Sequence, residues 1–194
     1  MATAAAPASS SAPPMVGPIH FAMMGAAFVI SGLVMAYGSL WALNWLHVFA
    51  GVLWTGIDLF MGFVVGPVMR ALDLPVRRAF IERLLPRTLL LMPTLAIVTG
   101  TAGWFLAQRM NFMELPWPSR GWVVAALVVI GILTVQGLGI LLPTNLKVYL
   151  EIRKAEPDFK KVGGLMRTYV RVVAFQGALQ VAIIVIMAKF ATGF

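Results

Sequence analysis

The chain has 194 residues, of which 60% are hydrophobic and 11% charged, with a mean hydropathy of +0.90. Soluble domains carry about 25% charged residues, so this composition excludes an ordinary soluble globule and points to an integral membrane protein. The net charge of +8 is not a nucleic-acid signature, because the basic residues gather in particular connections, and the absence of cysteine excludes disulfides, thiolate metal sites and a covalently attached c-type haem.

Residues 1–18, "MATAAAPASSSAPPMVGP", are rich in Ala, Ser and Pro and carry no charged side chain. They read as a disordered cytoplasmic tail, followed by a single transmembrane helical domain over 19–194. The next apolar run lacks the basic flank of a cleaved signal peptide and predicts a retained helix.

Five apolar runs predict an all-α bundle of five transmembrane helices: Ile19 to Trp41, Leu43 to Met69, Leu85 to Ala107, Gly121 to Leu146 and Tyr169 to Phe190. Each reaches the length of about 20 residues that lets a helix cross a bilayer with its backbone hydrogen bonds satisfied. Between the second and third runs lie Arg70, Arg77, Arg78, Arg83 and Arg87. Between the fourth and fifth lie Lys147, Arg153, Lys154, Lys160, Lys161, Arg167 and Arg171. These two stretches hold 12 of the 15 basic residues and fall on one side of a five-span topology. The positive-inside rule makes that side cytoplasmic, with the N-terminus cytoplasmic in a bacterial-type plasma membrane. Trp41, Trp45, Trp104, Trp117 and Trp122 then fall near the outer ends, as an interfacial belt requires. Pro143 is placed to kink the fourth span, and the Gly163–Gly164 pair reads as a turn.

The second span carries the unusual chemistry. At about 100° per residue, Gly51, Trp54 and Asp58 each project within about 40° of His47, so the four form one stripe. A charged side chain near mid-bilayer costs at least about 2.5–3.5 kcal/mol on insertion scales. Asp58 stands about 16 Å along the helix from His47 and needs protonation, hydration or a partner, for which Arg87 is the first candidate and Arg70 the second. His47 admits three readings. It is an axial haem ligand with Gly51 making room and Trp54 packing nearby, a member of a proton path toward Asp58, or an interfacial histidine bonded to a neighbouring helix. His20, the other histidine, opens the first span about 25 Å away in depth and does not share an iron with His47 in this topology. A second axial ligand would come from another helix, and Met35 is nearest in expected depth.

The twelve methionines are scattered, with Met110, Met113 and Glu114 the one group that suggests a metal. Gln176 and Gln180 lie one turn apart on the fifth span, and Gln136 and Asn145 sit on the fourth. Such amides join helices by hydrogen bonds of roughly 0.6–2 kcal/mol or contact a quinone or substrate.

The segment "LHVFAGVLWTG" resembles the first conserved helix of a group of small haem-linked membrane proteins: HemJ-type protoporphyrinogen oxidases, the membrane domain of cytochrome c urate oxidases, and the copper-resistance D domain. "ERLLPRTLLLMPTLAIVTGTAGWFL" is similar to the HemJ pattern of basic residues, a proline near a helix start and a glycine near its end. The resemblance covers about residues 43–107 and implies a bundle binding haem b, with His47 on the haem iron and Gly51 and Trp54 beside it. HemJ-type enzymes carry an essential lysine on the later helix. Here that region offers Arg87 and no lysine, which makes Arg87 the basic candidate on the cofactor side and weakens the transfer of protoporphyrinogen-oxidising activity. The expectation is a membrane b-type haem protein acting in electron transfer or oxidation of a small substrate, with Asp58 as proton relay or charge tuner. Its partners would be a quinone or a separate cytochrome c, in a homo- or hetero-oligomer. The alternatives are a transporter for copper or another small solute, and a cofactor-free subunit anchoring a larger membrane complex.

Overall fold

The computed structural model describes residues 17–154 and 156–193. The tail expected at 1–18 therefore lies, up to residue 16, outside the described residues. Five helices are long and apolar enough to cross a membrane: α1 (Pro18–Tyr37), α2 (Leu40–Ala71), α3 (Leu74–Arg109), α4 (Ser119–Ile152) and α5 (Phe159–Thr192). The protein is an all-α, multi-pass bundle, and among the described residues there is no strand.

The helices outrun the apolar windows at one end. α3 begins at Leu74 rather than Leu85, and α5 at Phe159 rather than Tyr169. Hydropathy sees the apolar part of a helix only, whereas Pro75 at the first turn of α3 and Asp158, whose side chain accepts from the Lys161 amide at the start of α5, mark the true beginnings. Arg77, Arg78, Arg83 and Arg87 are thus helical rather than in a loop. The Gly163–Gly164 pair, expected to turn, lies inside α5 for the same reason.

Two helices widen part-way into π turns, at Met61–Val65 in α2 and Val135–Leu141 in α4. Each is followed two residues later by a proline, Pro67 and Pro143. Proline lacks an N–H and its ring crowds the carbonyl four residues back, which here belongs to Phe63 or Gly139, inside the π turn in both cases. The wider register accommodates that crowding, so Pro143 acts through a π turn where a kink was expected.

α2 and α3 form the central pair, α1 leans on α3, and α4 and α5 pack together. The core lies in one half of the bundle: Leu43, Leu46, Ala50 and Trp54 of α2 meet Leu95, Val98, Ala102 and Leu106 of α3 and Leu133 of α4. In a bilayer this core gains little from leaving water and is held by van der Waals fit. At the end of the bundle near the core, Arg109 donates to the carbonyls of Gly38 and Met35, both at 2.6 Å, and satisfies the last turn of α1. The opposite, basic end is tied by Arg78, which donates to the Ile152 carbonyl at 3.1 Å, and by Glu151, which accepts from Lys154 at 2.9 Å and Lys161 at 2.8 Å. The two basic stretches therefore do meet at one end. The five tryptophans expected as a belt are exposed toward the other end, while Trp54 is buried.

Candidate functional site

The polar stripe of α2 faces two different helices. Its part near the tryptophan-rich end meets α3. His47 Nδ1 lies 2.9 Å from the Thr99 carbonyl oxygen, and since a carbonyl only accepts, Nδ1 carries the proton. In the neutral ring Nε2 is then the unprotonated nitrogen, and it has no hydrogen-bond partner among the described residues. The ring fits because residue 103 is glycine: a Cβ there would stand 2.6 Å from His47 Cε1 and 2.9 Å from Nδ1. One turn deeper, a Cβ on Gly51 would stand 3.3 Å from the Thr99 methyl group, so this glycine sets the close approach of α2 and α3. Trp54 is buried in the core. Thr99 thus gives its carbonyl to His47 and its methyl to Gly51.

The part of the stripe nearer the basic end meets α5. Asp58 is 9% exposed and accepts through a single oxygen, Oδ2, from Gln176 Nε2 at 2.6 Å and Gln180 Nε2 at 2.7 Å. Both glutamines are almost wholly buried. The expected pairing with Arg87 does not form. Arg87 is exposed and donates to the Arg83 carbonyl at 2.6 Å, because its place on α3 turns it outward along its own helix. Arg70 makes no ion pair with Asp58 either, although both line the same cleft.

That cleft has a volume of about 790 Å³. It runs from Arg70, Leu74 and Phe159 at the basic end to Asp58 and Gly177 at its deep end. The π turn of α2 forms part of its wall, a departure from regular helix that recurs at functional sites. Asn145 and Tyr169 also line it, and most of the remaining wall is apolar.

His20 lies elsewhere and accepts from the Gly17 amide at 3.2 Å, capping the first turn of α1. Met35 packs against the core from α1. Met110 and Glu114 flank the short turn between α3 and α4, and among the described residues no group of three His, Asp or Glu side chains is placed to hold a metal ion. Thr99 and Gly103 were missed as site residues. Their signal was the "TGTAG" run, whose small residues permit contact but do not say with what. Comparison with protein-family models, curated proteins and solved structures finds no match to this chain.

Proposed function

We propose that the chain is a membrane redox protein that holds one b-type haem through His47 and serves electron transfer or the oxidation of a small substrate. The observation that supports this is the His47–Thr99 hydrogen bond of 2.9 Å. A histidine that ligates a metal characteristically donates its other ring N–H to a carbonyl or carboxylate, which fixes the tautomer and the ring orientation. His47 has that tautomer, with Nε2 left to ligate. In this reading His47 supplies one axial ligand, Thr99 orients it, and Gly103 leaves space for the ring. Gly51 and Trp54 act through the packing of α2 on α3. When bound, the haem supplies one-electron chemistry. Asp58 offers an acceptor oxygen for a proton at the deep end of the cleft, held in place by Gln176 and Gln180. The basic end faces the cytoplasm under the positive-inside rule, so substrate reaches the cleft from that side. Electrons pass to or from a quinone or a separate cytochrome c.

The test is an absorption spectrum of the purified protein, oxidised and reduced. A Soret band and a reduced α-band are expected, and His47→Ala is expected to lose both while keeping its helical circular dichroism. Wild-type protein from haem-replete cells with no Soret band overturns the reading.

A second reading, small-solute transport, is favoured by one observation: the cleft occupies the basic half of the bundle while the other half is filled by packed core. Uptake into proteoliposomes that is lost in Asp58→Asn supports it. Uptake unchanged in that variant counts against it.

A further inference from the structure

We infer that the deep end of the cleft is a binding site for a lipophilic ligand carrying a hydroxyl donor, of the phenol or hydroquinone class. The cavity, about 790 Å³, is of the size that encloses a drug-sized molecule. Its walls are mostly apolar, with Met61, Ile81, Leu84, Met92, Val148 and Val173 among them. Away from the arginines of the basic end, the polar lining is Asp58, Thr88, Asn145 and Tyr169; Thr88 donates to carbonyls of its own helix, and Tyr169 and Asn145 hydrogen-bond to each other. Gln176 and Gln180 spend their amide N–H groups on one carboxyl oxygen of Asp58. Asp58 Oδ1 receives no hydrogen bond from the described residues, and Asp58 lines the cavity. The Oε1 atoms of both glutamines and of Gln136 on α4 are also buried without a donor, but these three residues do not line the cavity. Asp58 Oδ1 is thus an acceptor beside the cavity with no donor, and a ligand that brings one is stabilised here.

The same inventory selects among ligand classes. An anion meets the Asp58 carboxyl group at the deep end, whereas Arg70 stands about 18 Å further along α2 and the other cavity arginines, Arg77 and Arg78, sit in the first turns of α3 at the basic end. A cation finds acceptors but must shed its hydration against apolar walls. A neutral hydroxyl on an apolar body satisfies both the Asp58 oxygen and the walls. The inference names a substrate class for the redox reading and in that sense rests on it, but binding itself needs no haem, so the two fail separately.

The test uses the full chain in lipid nanodiscs, with empty nanodiscs subtracted. Radiolabelled 4-octylphenol is the probe, displaced by unlabelled 4-octylphenol, by its methyl ether or by octanoate. One saturable site per chain is expected, with the ether at least about tenfold weaker, the equivalent of one lost hydrogen bond. Asp58→Leu is expected to bring the phenol down to the level of the ether, and Arg70→Ala to change nothing. Leu84→Trp, which fills the apolar wall, is expected to abolish binding and serves if Asp58→Leu does not fold. Equal affinity for phenol and ether overturns the inference, as does octanoate displacing best with loss in Arg70→Ala, which would mark an anion site at the mouth. Phenol binding that survives both Asp58→Leu and Leu84→Trp also overturns it. Intact phenol binding in protein without a Soret band leaves this site standing and removes the haem reading.

Discussion

The two halves of α2 use their polar residues in opposite ways. Toward the tryptophan-rich end, His47 is held in a dense contact, with a glycine under its ring and a second glycine one turn on drawing α3 close. Toward the basic end the helix widens into a π turn, Met61–Val65 includes no buried residue, and the space beside it is a cleft ending at Asp58. A polar side chain in a bilayer is accommodated either by close packing around a hydrogen bond or by a matched set of side-chain donors beside a cavity. This molecule does both on one helix, so steric changes should dominate in the first half and hydrogen-bonding changes in the second.

The largest effect is expected from Gly103→Ala. Its methyl group would stand 2.6 Å from His47 Cε1, so the imidazole must leave its place or α2 must move from α3. Overpacking of this kind costs about 1–3 kcal/mol, which thermal unfolding in detergent measures, and the haem spectrum should shift or vanish with it. Gly100→Ala is the matched control, because a Cβ there meets nothing within 4 Å. Equal unfolding temperatures for the two variants would break the distinction between the halves.

A smaller effect is expected from Gln180→Leu. The substitution makes the side chain apolar at a similar size and removes one of the two donors to Asp58. A hydrogen bond between transmembrane helices is worth roughly 0.6–2 kcal/mol. A double-mutant cycle with Asp58→Leu isolates it, and the loss from Gln180→Leu should largely disappear once the carboxyl group is gone. Full additivity would mean that Asp58 and Gln180 do not interact.

Much of the architecture was legible because lipid imposes a simple rule: a run of about 20 apolar residues becomes a helix. The charged extensions of α3 and α5 were not legible, since helix continues past the apolar window and only capping residues such as Asp158 mark its start. The stripe on α2 was legible from periodicity, but what it faced was not. Gln176 and Gln180 stood out as a pair one turn apart, yet their partner is 118 and 122 residues away, and local spacing carries no information about that distance. Arg87 was the expected partner because opposite charges are the simplest match, whereas two neutral amides do the work without burying a second charge. Thr99 acts on His47 through its backbone carbonyl, a group every residue has, so nothing in the side-chain pattern announces it. The cleft belongs to no residue in particular; it opens where α2, through its π turn, and the neighbouring helices fail to fill the space between them.

The smallest effect is expected from Arg87→Ala, and it bears on how the half toward the basic end is organised. The guanidinium is exposed and bonded to the carbonyl of Arg83 on its own helix, and it does not line the cleft. Exposed side chains away from buried features change stability by no more than about 0.5 kcal/mol. Arg87→Ala should therefore unfold with the wild type, leave 4-octylphenol binding intact and show no coupling to Asp58→Leu in a double-mutant cycle. A coupling above about 1 kcal/mol is more than an exposed ion pair delivers and would mean that Arg87 reaches Asp58 after all. The half toward the basic end would then be held by a charge pair across the bilayer interior, Gln176 and Gln180 would be secondary, and the Asp58 oxygen that defines the ligand site would be answered by the protein itself.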